Sequence, residues 1–191
     1  MSLLAGFYSL LAVNSRDMTI LNTFIACLLI RLISLGKSIY NEKRLKANGA
    51  VEYGKINSFV LTLSHIFFYA SCLWEALHYE KEINSYSYWG VGLFIFSMIM
   101  LWWVIIHLGS IWTVKLIISS DHVLKTNLLF KYVRHPNYYL NVIPELIAIA
   151  LICNAWYTLI IGLPLYAIPL VLRIREEEKR MKEKFEMYAS L

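Results

Sequence analysis

A succession of long apolar stretches constrains this chain more than any other feature. Five can be drawn, about Met18 to Ile39, Ile56 to His78, Tyr88 to Trp112, Tyr138 to Cys153 and Trp156 to Leu172. A helix needs about 20 apolar residues to cross the hydrocarbon core of a bilayer, and the first three runs meet that length. Inside lipid every backbone N–H and C=O must be satisfied within the protein, so the runs are expected to be helices. The last two are short, and only Asn154 and Ala155 separate them, which predicts a tight helical hairpin. Charged residues make up 16% of the chain and hydrophobic ones 59%, whereas soluble domains carry about a quarter charged residues. The expected fold class is an all-α integral membrane protein of about five transmembrane helices. It has a tight C-terminal helical hairpin and a cytosolic tail helix, in one domain spanning residues 1–191.

The net charge of +5 is not a nucleic-acid signature here, because the basic residues lie in the connections between apolar runs. Lys43, Arg44, Lys46 and Lys55 follow the first run. Lys115, Lys125, Lys131 and Arg134 follow the third. Arg173, Arg175, Lys179, Arg180, Lys182 and Lys184 follow the fifth, and only Arg16 and Lys81 fall on the other side. This alternation predicts an N-terminus outside and a C-terminus in the cytosol. The opening "MSLLAGFYSLLAVN" has no basic start or small-residue cleavage pattern, and reads as an interfacial or re-entrant helix rather than a signal peptide. Cys27, Cys72 and Cys153 all sit inside apolar runs with no paired spacing, so buried, inert thiols are expected. No histidine–carboxylate spacing resembles a metal site. "GVG" at Gly90 to Gly92 opens the third run and reads as close helix packing.

Polar chemistry concentrates in three places on the predicted cytosolic side: "SSDHVLKTN" (119–127), "FKYVRHPNYYLN" (130–141) and "RIREEEKR" (173–180). Pro136 suits the first turn of the fourth helix, where a missing N–H costs little. Arg134 and His135 then stand beside the positive end of that helix, a ready site for a carboxylate or phosphate. Arg173 and Glu177, four apart, share one helical face. Taken alone, the tail reads as a charged surface helix, and "RHP" reads equally well as an anchor with a helix stop.

Together, "HVLKTNLLFKYVRHPNYYLN", a tight hairpin and "RIREEEKRMKEKF" resemble the isoprenylcysteine carboxyl methyltransferase family, and more closely its bacterial branch of small membrane O-methyltransferases. The core resemblance covers about residues 110–187, the catalytic half. "NEKRLKANGAVEYGKINSFVLTLSH" (41–65) also looks like the bacterial branch. The resemblance implies a cytosolic S-adenosylmethionine pocket capped by the tail. It implies cofactor contacts from Lys115, His122, Val123, Leu124, Lys125, Phe130, His135, Pro136, Asn137, Tyr138 and Glu177. It casts Glu177 as the cofactor carboxylate and Arg173 as the arginine that meets the acceptor, which makes these two the candidate catalytic pair. Phe130 replaces a tyrosine of the family pattern, Leu128 replaces a glycine, and the tail ends early. The implied acceptor is a lipophilic small molecule entering from the bilayer, methylated on a carboxylate, phenol or enol oxygen. A prenylcysteine-like acid and other lipids remain open. Tyr138 or Tyr139 is expected to pack near the adenine or the sulfonium.

Ionisable residues inside membrane helices are functional candidates. Glu145, after Pro144, is expected either to bind the acceptor, to pair with His107 or His65, or to be a structural carboxyl beside a proline kink. His65 reads best as a helix-packing histidine, and Glu75 and His78 as interfacial. Trp102, Trp103 and Trp112 read as packing and interface anchors. Two other functions stay open on the residues alone: a membrane lipid or sterol-type reductase using a nicotinamide cofactor, and a non-catalytic membrane adaptor.

Overall fold

The computed structural model describes residues 17–118 and 135–184. The N-terminal apolar stretch lies outside the described residues, as do Arg134, Phe130, Leu128 and the predicted contact segment His122, Val123, Leu124 and Lys125. The elements run α1 (Asp17–Ala47), β1 (Val51–Tyr53), α2 (Lys55–His78), α3 (Ser85–Leu108), a 3-10 turn (Gly109–Ile111) and β2 (Leu116–Ile118). A π-helical stretch (Asn137–Val142) leads into α4 (Ile143–Ile152), and a second (Thr158–Gly162) leads into α5 (Leu163–Lys184). Four helical stretches are long and apolar enough to cross a membrane, Thr19–Ala47, Lys55–His78, Ser85–Ile111 and Thr158–Glu183, while Asn137–Ile152 is shorter. The protein is an integral membrane protein of helical architecture.

Two details go beyond the sequence reading. The charged tail is helical as expected, but it is continuous with the last span, with Pro169 inside the helix. The fifth run is therefore not short. Second, β1 and β2 pair antiparallel in a small ribbon, Glu52 opposite Ile117 and Tyr53 opposite Leu116. Three-residue strands carry too little periodicity to be read from sequence.

The core lies where α3 packs on α4. Gly90 permits that contact, because a Cβ there would stand 2.7 Å from the Ile152 backbone nitrogen and 2.8 Å from the Ala148 oxygen. Polar zips flank it. Ser87 Oγ donates to Ile152 O at 3.1 Å. Ser97 Oγ donates to Asn141 O at 3.1 Å, and Asn141 Nδ2 donates back to Ser97 O at 3.2 Å. Such reciprocal bonds and small residues hold helices together where lipid offers no hydrophobic drive.

The hairpin between α4 and α5 turns on Asn154, in the left-handed region at φ 52°. Ala155 N donates to Ala150 O at 2.8 Å and Asn154 N to Leu151 O at 3.2 Å, which terminates α4 in a Schellman arrangement. The first turn of the final helical run is capped from outside. The Glu75 carboxylate of α2 accepts from Tyr157 N at 3.0 Å, Thr158 N at 2.8 Å and the Thr158 hydroxyl at 2.8 Å. Glu75 is thus buried rather than interfacial, and it sits where the helix dipole favours an anion. Cys27, Cys72 and Cys153 are free and buried, as expected.

Candidate active site

The site forms at the ribbon end of the bundle, where the π-helical start of α4 meets α2, the ribbon and α5. Pro136 occupies the first helical turn, and His135 O accepts from Tyr138 N and Tyr139 N at 3.1 and 3.2 Å. This turn carries Tyr138 inward while Tyr139 stays exposed. Of the two tyrosines, Tyr138 is the one that contacts Arg173 and Glu177.

Tyr138 is a bridge. Its hydroxyl donates to Glu177 Oε2 at 2.7 Å and accepts from Arg173 Nε at 3.3 Å. Arg173 is only 2% exposed. Its Nη1 donates to Ser58 Oγ at 2.8 Å and its Nη2 to Val114 O at 3.2 Å. A guanidinium has five donors, so these bonds leave two of them for another group. His135 lies between two carboxylates, with Nε2 at 3.3 Å from Glu178 Oε1 and Nδ1 at 3.8 Å from Glu177 Oε1. Burial pushes the His135 pKa down, but the Glu177 and then the Glu178 carboxylates outweigh it, and the net shift is upward. The ring is therefore biased towards its cationic form. His135 Nδ1 and Asn137 Oδ1 are buried without a hydrogen-bond partner among the described residues. Unmet groups of this kind are uncommon in a finished core, and these two stand at the opening of the fourth helical run, although Asn141 Oδ1 and Asn154 Oδ1 in the helix contacts are also unmet.

The ribbon closes one side. Lys115 pairs with Glu42 Oε1 at 2.7 Å and approaches Glu52 Oε1 at 3.9 Å, in a network that includes Lys46. Its neighbour Val114 supplies the contact to Arg173, and Val114 is fixed by donating its N–H to Ser38 Oγ at 2.8 Å. The tail helix is held against this ribbon. The Arg180 guanidinium stacks over the Tyr53 ring at 4.8 Å. Gly54, at φ 59°, leaves room beside the Glu176 carboxylate, which a Cβ would meet at 2.1 Å.

Glu145 lies elsewhere. It is fully buried, deeper in the bundle, where its Oε1 takes Arg31 Nε at 2.9 Å and the Tyr69 hydroxyl at 2.6 Å. His65 Nε2 stands 3.7 Å from the same oxygen. Of its two proposed partners, His65 is present and His107 is not. His107 Nδ1 bonds Trp103 O one turn back on α3 at 2.8 Å, and its ring stacks on Trp103.

Residues 90–183 match the isoprenylcysteine carboxyl methyltransferase (ICMT) family. A protein of Haemophilus influenzae described as uncharacterized is 47% identical over 169 residues, covering 88% of this chain and 98% of its own length. The uncharacterized protein YpbQ of Bacillus subtilis is 30% identical over 161 residues, covering 83% of this chain and 95% of its own. No solved structure matches. The chain belongs to the isoprenylcysteine carboxyl methyltransferase family. Membership makes it a membrane methyltransferase.

His135, Tyr138, Arg173 and Glu177 of this ICMT-family protein all fall inside the matched stretch, and contacts join all four. Sequence reasoning missed Glu178, Ser58 and Arg31. Glu178 stands next to Glu177 in a run of three glutamates, and helical spacing separates it from the Arg173 face although His135 reaches both. Ser58 is a single hydroxyl with no motif. Arg31 carried a usable signal, an arginine in the middle of an apolar run, which calls for a partner.

Proposed function

We propose that the protein transfers the methyl group of S-adenosylmethionine to a carboxylate, phenol or enol oxygen of a lipophilic acceptor that enters from the bilayer. The observation that carries this reading is the cluster of buried His135, Tyr138 and Arg173 with half-buried Glu177 at the junction of an apolar span and a charged tail. The residues present fit such a cofactor. Glu177 and Glu178 offer carboxylates to an ammonium group. His135, biased to its cationic form, and the N–H groups that open α4 suit a carboxylate. When bound, S-adenosylmethionine supplies an activated methyl group on a sulfonium. His122, Val123, Leu124, Lys125 and Phe130 remain proposed cofactor contacts on the family resemblance, with Pro136 and Asn137 shaping the turn beside them. Lys115 would act through the ribbon.

The chain's own part is alignment, since methyl transfer by displacement needs reactants held in line more than covalent help. Tyr138 locks Arg173 and Glu177 to one another. The two uncommitted donors of Arg173 suit an acceptor oxygen in a planar fork. A carboxylate acceptor is already ionised and needs no base. For a phenol or enol, Glu177 is the better base, because His135 is held towards its protonated form. The described basic residues of the connections and tail, Lys81 apart, gather at this end of the bundle, which supports a cytosolic active site with the N-terminus outside.

Calorimetry of S-adenosylhomocysteine with the purified full chain in detergent tests the reading. One-to-one binding is expected. Folded protein that does not bind it would overturn the proposal.

A further inference from the structure

Beneath the site lies a second polar layer, in register with the first. Ser38, Ser58, Tyr138 and Arg173 belong to the upper layer, linked through Val114 and one another. Seven residues away on the same four helices stand Arg31, His65, Glu145 and Tyr166. Seven residues are about two turns of α-helix, so on α1, α2 and α5 the lower residues occupy the same faces roughly 10 Å deeper, while Glu145 is reached from Tyr138 through the π-helical stretch. These residues also meet. Glu145 joins Arg31, Tyr69 and His65, while His65 Nδ1 lies 3.4 Å from the Tyr166 hydroxyl.

A purely structural ion pair at this depth should have every polar atom satisfied, because apolar surroundings offer no replacement partner. This one does not. Glu145 Oε2 and His65 Nε2 are buried with no hydrogen-bond partner among the described residues, while both oxygens of Glu75 are bonded. The charge is already balanced, since Arg31 faces Glu145 at 2.9 Å. An incoming anion would meet the Glu145 carboxylate, and an incoming cation would compete with Arg31. A neutral group that both donates and accepts fits best, donating to Glu145 Oε2 and meeting His65 Nε2, which donates when Nδ1 accepts from the Tyr166 hydroxyl. A hydroxyl does both. Arg31, His65 and Tyr69 come from α1 and α2, outside the residues matched to the family.

We infer that this layer is an acceptor subsite. It takes a neutral hydrogen-bonding group, a hydroxyl above all, carried by the lipophilic acceptor roughly 10 Å from the oxygen that is methylated. The inference rests on the methyltransferase reading above and narrows its substrate class to lipids with a second, mid-chain polar group.

The test uses the full chain in detergent, saturated with S-adenosylhomocysteine, and two probes: a long-chain fatty acid with a mid-chain hydroxyl and its unhydroxylated parent. Binding of each is measured for the wild type and for His65→Phe, which keeps a ring stacked on Tyr69 and removes Nε2. Glu145→Gln is a second variant if the first is unstable. The hydroxylated probe is expected to bind wild type about tenfold more tightly, a hydrogen bond to a charged group, and the preference should shrink several-fold in the variant. Equal binding of the two probes to wild type, or binding of neither, overturns the inference. A preference that survives in both variants overturns the assignment to these residues. Loss of S-adenosylhomocysteine binding in wild type would instead count against the methyltransferase reading, so the two failures are distinct.

Discussion

Glu75 and Glu177 are both carboxylates on helices of one small bundle, and they differ in how completely they are bonded. Glu75 has both oxygens bonded to the start of the final helical run, through two backbone N–H groups and one hydroxyl. Nothing about it is left over. Glu177 accepts one hydroxyl, from Tyr138, and faces His135 at 3.8 Å, beside atoms that lack partners. A satisfied buried carboxylate is mortar for the fold. A partly satisfied one, beside a buried arginine with donors to spare, is what we propose as equipment for binding.

Exchanging the losses of these two residues breaks or sharpens that contrast. Glu75→Ala should have the largest effect on stability, about 3 kcal/mol, because it strands buried N–H groups at a helix start and removes charge-assisted bonds. A thermal-shift series in detergent would read it, and the fraction still folded should bind S-adenosylhomocysteine normally. Glu177→Ala should do the reverse. Affinity for S-adenosylhomocysteine falls about thirtyfold, corresponding to about 2 kcal/mol for a hydrogen bond to a charged group, while the melting temperature moves little. If Glu177→Ala destabilises the fold without changing affinity, its role is structural and the contrast collapses. Next in size is Gly90→Ala. Its methyl group would press on the backbone of α4 at Ile152 and Ala148, at a cost of about 1–3 kcal/mol from overpacking. The melting temperature should drop, with no specific loss of affinity beyond the unfolded fraction.

The same contrast explains what the sequence made legible. The membrane helices, the tight hairpin at Asn154, the packing role of Gly90 and the buried cysteines follow from local composition and period, and all are present. His135, Tyr138, Arg173 and Glu177 were readable as a group through the family resemblance, and the chain brings them together. Partners joined only by the tertiary fold were not readable. Glu75 caps a helix 82 residues further along the chain, Arg31 meets Glu145 across the bundle, and Ser58 meets Arg173 across 115 positions. No periodicity encodes such pairs. Lys115 shows the limit from the other side. Its ammonium group turns to Glu42 while its neighbour's carbonyl reaches the arginine, and neither pairing is marked in the local sequence.

The smallest expected effect concerns pH and tests whether His135 belongs with the equipment or with the mortar. Its folded pKa is raised above the ordinary value of 6.5, burial being outweighed by Glu177 and then Glu178. The protonated ring is thus better held folded than unfolded. Its contribution to stability is fully present below about pH 6.5 and is lost as pH rises through the higher folded value. Wild-type melting temperature should therefore decline across that window more steeply than that of His135→Gln, whose glutamine keeps polar contacts without titrating. Saturating S-adenosylhomocysteine sharpens the comparison. If His135 meets the ligand's carboxylate, the ligand extends the protonated range upward, and the decline moves to higher pH in wild type alone. An identical shift in wild type and His135→Gln would place the ligand carboxylate on another group. It would leave His135 as a clasp between α4 and the tail helix.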